Sequence, residues 1–182
     1  MPERLIVSFC APTMAGLKTA SLFTADCESR SAILREITQM NRMLEGKGIR
    51  VMVLGYTKNR ALIYMFRPKM LVKDLASPQT AEILASCGYR ECSIGYCLSR
   101  LIRRLKDSSE FPHEIGCFLG YPPEDVAGFI NRDKPCIMNG FWRVYGNADE
   151  AAKLFQKYRT CTDIFLRNLC AGQDMVRLTV TG

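Results

Sequence analysis

Apolar positions recur along this chain with two spacings, and the spacing sorts most of it into helices and strands. From Ser29 to Glu45, Ile33, Ile37, Met40 and Leu44 fall every three or four residues, the period of a helix with one buried face. Gly46 and Gly48 supply its stop. Cys92 to Lys106 is the clearest amphipathic pattern, with Ile94, Leu98, Leu101, Ile102 and Leu105 on one face and Arg100, Arg103, Arg104 and Lys106 around the other. A third stripe, Leu154, Tyr158, Cys161 and Phe165, lies on a long helix that opens at Asn147 with Glu150 as a capping pair and ends at Gly172. Two shorter helical pieces, Lys69 to Leu75 and Pro78 to Cys87, follow Pro68, which suits a first helical turn.

Strand signals fall between these. Leu5 to Cys10 is a short apolar run bounded by Pro12 and reads as a first strand. Ile49 to Tyr56 and Ala61 to Phe66, split by Lys58-Asn59-Arg60, read as an antiparallel hairpin. Ile137 to Tyr145 reads as another strand, and the alternating Met175 to Val180 as a last edge strand. Ala11 to Phe23 is apolar without a clean period. The predicted fold is α+β: residues 1–182 as a single domain, with a mixed or largely antiparallel sheet of about five strands packed with helices.

Phe111 to Ile130, FPHEIGCFLGYPPEDVAGFI, carries the only histidine and two helix starts. Pro112 and Glu114 begin a short helix bearing Ile115, Phe118 and Leu119, which Gly120 and Pro122 stop. The alternation of Ile115, Cys117 and Leu119 also permits a strand. Pro123, Glu124 and Asp125 suit the positive end of a second helix, with Val126, Phe129 and Ile130 buried. His113 and Glu114 are the candidate acid/base or ligand pair here; the structural alternative is a histidine that packs the turn beside a glutamate that faces the helix dipole.

Composition narrows the classes. A hydrophobic share of 48% with 24% charged residues describes a globular chain. No apolar run is long enough to span a bilayer and none at the start resembles a signal peptide, so the expected setting is the cytoplasm, with no membrane partner. Nine cysteines are odd in number and contain no Cys-x-x-Cys, which predicts reduced thiols used mostly as small buried hydrophobes. Cys87, Cys92 and Cys97, spaced by fives, would not converge on a helix, and no metal site is expected. The net charge of +7 makes a small anionic ligand conceivable. Arg100, Arg103, Arg104 and Lys106, with Arg67 and Lys69, would form a nucleic-acid patch only if their helix face were more than solvated. The acidic start of the second helix also argues against DNA reading.

Cys10 to Thr19 superficially resembles a phosphate loop, but Leu17 separates Gly16 from Lys18 and no early glycine precedes it. Cys10, Thr13 and Lys18 remain candidates for a small anion or thiolate site. Trp142 and Tyr145 would either stack a ligand or fill a sheet face.

Taken together, CAPTMAGLKTASLF at Cys10–Phe23, LIYMFRP at Leu62–Pro68, FPHEIGCFLGYPPEDVAGFI, and GFWRVYGN at Gly140–Asn147 with the helix to Cys161 resemble an uncharacterised family, a domain of unknown function of anaerobic Gram-positive bacteria. Phe141 and Arg143 stand where that family commonly has Tyr and Lys. The resemblance implies one shared domain and a cytosolic setting. It brings no reaction, cofactor or catalytic residue, and keeps a redox or iron-linked role open. The expected function is therefore a small binding or regulatory domain, with a ligand pocket formed by the Cys10–Lys18 loop and the His113–Glu114 turn. The alternative is an enzyme using Cys10 as nucleophile, activated by Lys18 or His113.

Overall fold

The computed structural model describes every residue except 92, 108 and 109. The chain runs α1 (Glu3–Met14), β1 (Ala20–Asp26), α2 (Arg30–Met43), β2 (Arg50–Thr57), β3 (Arg60–Phe66), α3 (Pro68–Leu75), α4 (Pro78–Ser86), α5 (Ile94–Asp107), α6 (Ile115–Phe118), α7 (Pro123–Asn131), β4 (Met138–Asn139), β5 (Arg143–Val144), α8 (Ala148–Cys170) and α9 (Met175–Leu178). Two compact units emerge, one of Met1–Met70 with Thr160–Gly182 and one of Leu71–Arg159. The described strands form an antiparallel three-stranded sheet and an antiparallel two-stranded one, so the fold is α+β.

In the first unit the sheet order is β1-β3-β2. The expected hairpin is β2–β3, turned through Lys58 and Asn59, with Lys58 at a φ of 45°. β3 is central, and Ile63, Tyr64 and Met65 on it are fully buried. Ala61, Ile63 and Met65 share one core with α1, α2 and the second half of α8. Ser29 caps α2 by accepting from the Ala32 amide at 3.1 Å.

The expected strand at Leu5–Cys10 is helix α1. Ile6, Val7, Cys10, Ala11 and Met14 are all buried, and their spacing of one, three, one and three residues is helical. The β-rich composition of LIVSFC concealed that period. Pro12, taken as a strand terminator, lies inside α1. The unperiodic stretch that follows contains the missed strand, β1, which pairs with β3 from Ala20↔Phe66 to Asp26↔Arg60. The expected edge strand at Met175–Val180 is also mostly helical. Asp174 caps α9 by accepting from the Arg177 amide at 2.8 Å, and Met175 and Leu178, three apart, are buried.

In the second unit α7 contacts α4, α6 and β5. The helix pair read from Phe111–Ile130 is present, although α6 is a single turn, stopped at Gly120 with a φ of 69°. The expected strand over Ile137–Tyr145 is a small hairpin with only Met138↔Val144 and Asn139↔Arg143 paired. Its tip lies so close to Phe155 that a Cβ on Gly140 would stand 2.0 Å from the ring, so the approach leaves room only for glycine. Asn147 caps α8, accepting from the Asp149 and Glu150 amides at 3.1 Å each.

Candidate functional site

Cys10, Thr13 and Lys18 belong to the first unit, and His113 and Glu114 to the second. Cys10 and Thr13 are one helical turn apart on α1 and have no exposed surface. The Thr13 and Ser21 hydroxyls hydrogen-bond across the α1–β1 connection at 2.9 Å. Lys18, in that connection, is 8% exposed. Burial pushes the Cys10 thiol up to about 12, against the pull of Lys18 and a hydrogen bond with Ser21, and pushes the Lys18 ammonium down to about 8. The three side chains and Ser21 form one buried polar cluster. Cys10 within it is a protonated thiol near neutral pH, the unreactive form. Gly16, which made the segment look like a phosphate loop, is the left-handed residue just past the end of α1, at a φ of 72°.

Arg67 gathers the same region. Its Nε donates to the Thr13 carbonyl at 2.7 Å, Nη2 to those of Met14 (2.7 Å) and Val180 (2.8 Å), and Nη1 to that of Lys47 (3.3 Å). A guanidinium fork satisfies the orphan carbonyls at the end of α1 while holding the segment beyond α9. Arg67 is thus a buried structural cation rather than part of a basic surface. Arg104 is also engaged, in an ion pair with Glu114, so two of the arginines grouped as a basic patch have internal partners.

Glu114 is 1% exposed. Besides Arg104, it accepts from the Tyr89 hydroxyl at 3.1 Å. Burial, with the Glu114 charge beside it, pushes the Tyr89 phenol above its ordinary value, and burial with neighbouring Cys87 and Glu114 pushes Cys117 up to about 12. Glu114 therefore ties the turn to α5 and to the segment after α4. Of the expected thiol triplet, Cys97 donates to the Glu91 carbonyl at 3.1 Å, and Cys92 lies outside the described residues.

His113, its neighbour, lines a cavity of about 390 Å³ within the second unit. Phe111, Ile115, Gly116, Tyr121, Asp125, Val126 and Phe129 complete the walls from the central motif, and Trp142 and Arg143 close it from the hairpin. The His113 ring meets Phe129 edge-on at 4.8 Å, and the Arg143 guanidinium lies over the same ring, 5.5 Å from its centroid. Tyr121 stacks on Trp142 at 4.7 Å, and its hydroxyl donates to the Phe141 carbonyl at 3.3 Å. A larger cleft in the first unit, about 870 Å³, is lined by Asp26, Glu28 and Glu36 and by no aromatic residue.

Asp125 builds the wall that faces the hairpin. One carboxylate oxygen accepts from the Trp142 indole N–H at 2.7 Å; the other accepts from the Tyr145 and Gly146 amides at 2.7 and 2.8 Å. Sequence reasoning explained Asp125 only as an acid in a first helical turn and Phe129 only as part of a buried helix face, and named neither Tyr121 nor Arg143 as a site residue. The available signal was density: all ten lining residues lie in the two segments FPHEIGCFLGYPPEDVAGFI and GFWRVYGN.

A family model described as Protein of unknown function (DUF3793) matches residues 6–179. No curated protein and no solved structure matches the chain.

Proposed function

The chain belongs to the DUF3793 family, and we propose that it is a small-molecule-binding protein whose ligand, a flat apolar molecule, occupies the aromatic cavity of the second unit. The observation that carries this reading is the lining itself. Ligand sites are concave, mostly apolar, and edged by a few polar groups, with volumes of roughly 300–1,000 Å³; a cavity of about 390 Å³ walled by Phe111, Tyr121, Phe129 and Trp142 has that composition at the small end. The Trp142 N–H and the Tyr121 hydroxyl are both bonded to the protein, so these residues offer ring surface to a ligand. Of the five residues expected to bind ligand, His113 stands in this lining.

The alternative of a Cys10-dependent enzyme has burial and a raised thiol pKa against it. A cytoplasmic setting belongs to the proposal, supported by the free thiols of the eight described cysteines. No helix among the described residues is long and apolar enough to cross a membrane. We also propose that residues 1–182 act as one functional domain, because the family match runs through both units.

Trp142 is the only tryptophan, so a single indole N–H resonance reports on the cavity. Naphthalene-sized probes should shift that resonance saturably, and Phe129→Ala should weaken binding about tenfold by removing one ring wall. An indole resonance that ignores a broad set of flat apolar probes up to their solubility limits would sink the reading.

A further inference from the structure

Resting on that reading, we infer that the natural ligand carries a carboxylate, placed where Arg143 and His113 flank Phe129. The polar groups of the cavity divide into two sets. Asp125 is committed: both of its oxygens accept from the hairpin, three N–H groups in all. Trp142 and Tyr121 have their polar atoms bonded to protein acceptors. Glu114, adjacent in sequence to His113, is turned into Arg104 and Tyr89 and does not line the cavity.

The second set is Arg143 and His113. Among the described residues, Arg143 forms no ion pair and the His113 side chain makes only its ring contact with Phe129. Arg143 is exposed on β5, so its guanidinium reaches a ligand at the cavity mouth without first breaking an internal bond. With no carboxylate of the protein paired to it, the Arg143 guanidinium has its planar N–H fork for a ligand carboxylate. His113 meets the same ring edge-on and stands in the lining, and an imidazole carries at least one ring N–H. The cavity thus pairs a flat apolar interior with a cationic rim, which is the complement of a planar aromatic carboxylate. A cationic ligand would instead meet Arg143 with like charge.

The test compares 2-naphthoate, 2-naphthamide and 2-naphthylmethylamine by calorimetric titration against the wild-type chain and the R143M and R143K variants. Circular dichroism confirms that the variants fold. The three ligands share one ring system and differ in head-group charge. The expected result is that naphthoate binds about ten- to a hundredfold tighter than naphthamide, as charge-assisted hydrogen bonds predict. R143M should bring the two within about threefold by lowering naphthoate affinity alone, with R143K between because it retains charge without the fork. Naphthamide or naphthylmethylamine binding as tightly as naphthoate, or a preference that survives R143M, would overturn the carboxylate inference while leaving the cavity reading intact. If none of the three binds, both fall.

Discussion

Two charged side chains do structural work in this protein that their sequence positions do not announce. Arg67 follows β3 in a run that reads as strand, and its guanidinium joins the end of α1, Lys47 and Val180 through four carbonyls. R67M would leave those carbonyls without their donor, at a cost of about 3 kcal/mol by the usual worth of charged hydrogen bonds. R67K should recover less than half, since an ammonium cannot reproduce the fork. Urea unfolding of the three proteins measures this, and a loss under about 1 kcal/mol for R67M would refute the clamp. Lys18 is the second case. Its folded pKa, about 8, lies below its ordinary 10.5, so the folded state disfavours the ammonium. That cost is fully present below pH 8 and is relieved as pH rises toward 10.5, because the unfolded chain then binds more protons. Cys10 acts in the opposite sense: its thiol is favoured in the folded state, and that contribution is lost as pH climbs from 9.0 through about 12. Between pH 8 and 9 Lys18 should therefore contribute a rise in stability, by at most about 1.4 kcal/mol per pH unit, and K18M should show a lower pH slope there than the wild-type chain. Equal pH slopes for the two proteins would show that Lys18 does not titrate there. The residue types were legible in the sequence, but their burial was not, because a lysine or arginine is mostly exposed unless the fold encloses it.

At the scale of elements, periodicity decided correctly wherever one face of a helix is buried and the other is wet. α2, α5, α7 and α8 all stand where the spacing put them, and the β2–β3 hairpin follows from two β-rich runs around a polar turn. It misled at both ends of the chain. LIVSFC and MVRLTV are rich in residues that favour strands, yet α1 buries a helical face and α9 is capped by Asp174. Tertiary burial overrode local propensity in both. The short β4–β5 hairpin shows a further limit. Two paired positions on each strand hold little by themselves, and its position against α7 depends on the Asp125 carboxylate accepting from Trp142, Tyr145 and Gly146. Asp125→Ala would strand three donors and should cost about 3 kcal/mol or more. The Trp142 emission should move to longer wavelength as the indole meets water. An unchanged emission maximum and a loss under about 1 kcal/mol would mean that the hairpin stays in place without Asp125.

For the whole molecule, thiol chemistry offers the broadest check. Cys10, Cys97, Cys117 and Cys161 are buried, Cys27, Cys87 and Cys136 are half-buried, and Cys170 is exposed, all with free thiols. Of these eight, Cys170 should react first with an aromatic disulfide reagent in the native state, the half-buried three more slowly, and the buried four only on unfolding. Rapid native labelling of Cys10, located by mass spectrometry, would reopen the enzyme reading that burial opposes. The sequence by itself determined the α+β class, the helices with one wet face and the central hairpin, because each follows from local spacing or composition. Only the tertiary structure decided which polar groups are spent and which are free. Glu114 and His113 are neighbours in the chain, yet one is enclosed by Arg104 and Tyr89 while the other lines a cavity with Trp142 and Arg143. That choice depends on which way adjacent side chains point once α5, α7 and the β4–β5 hairpin have packed, and spacing along the chain carries no record of it.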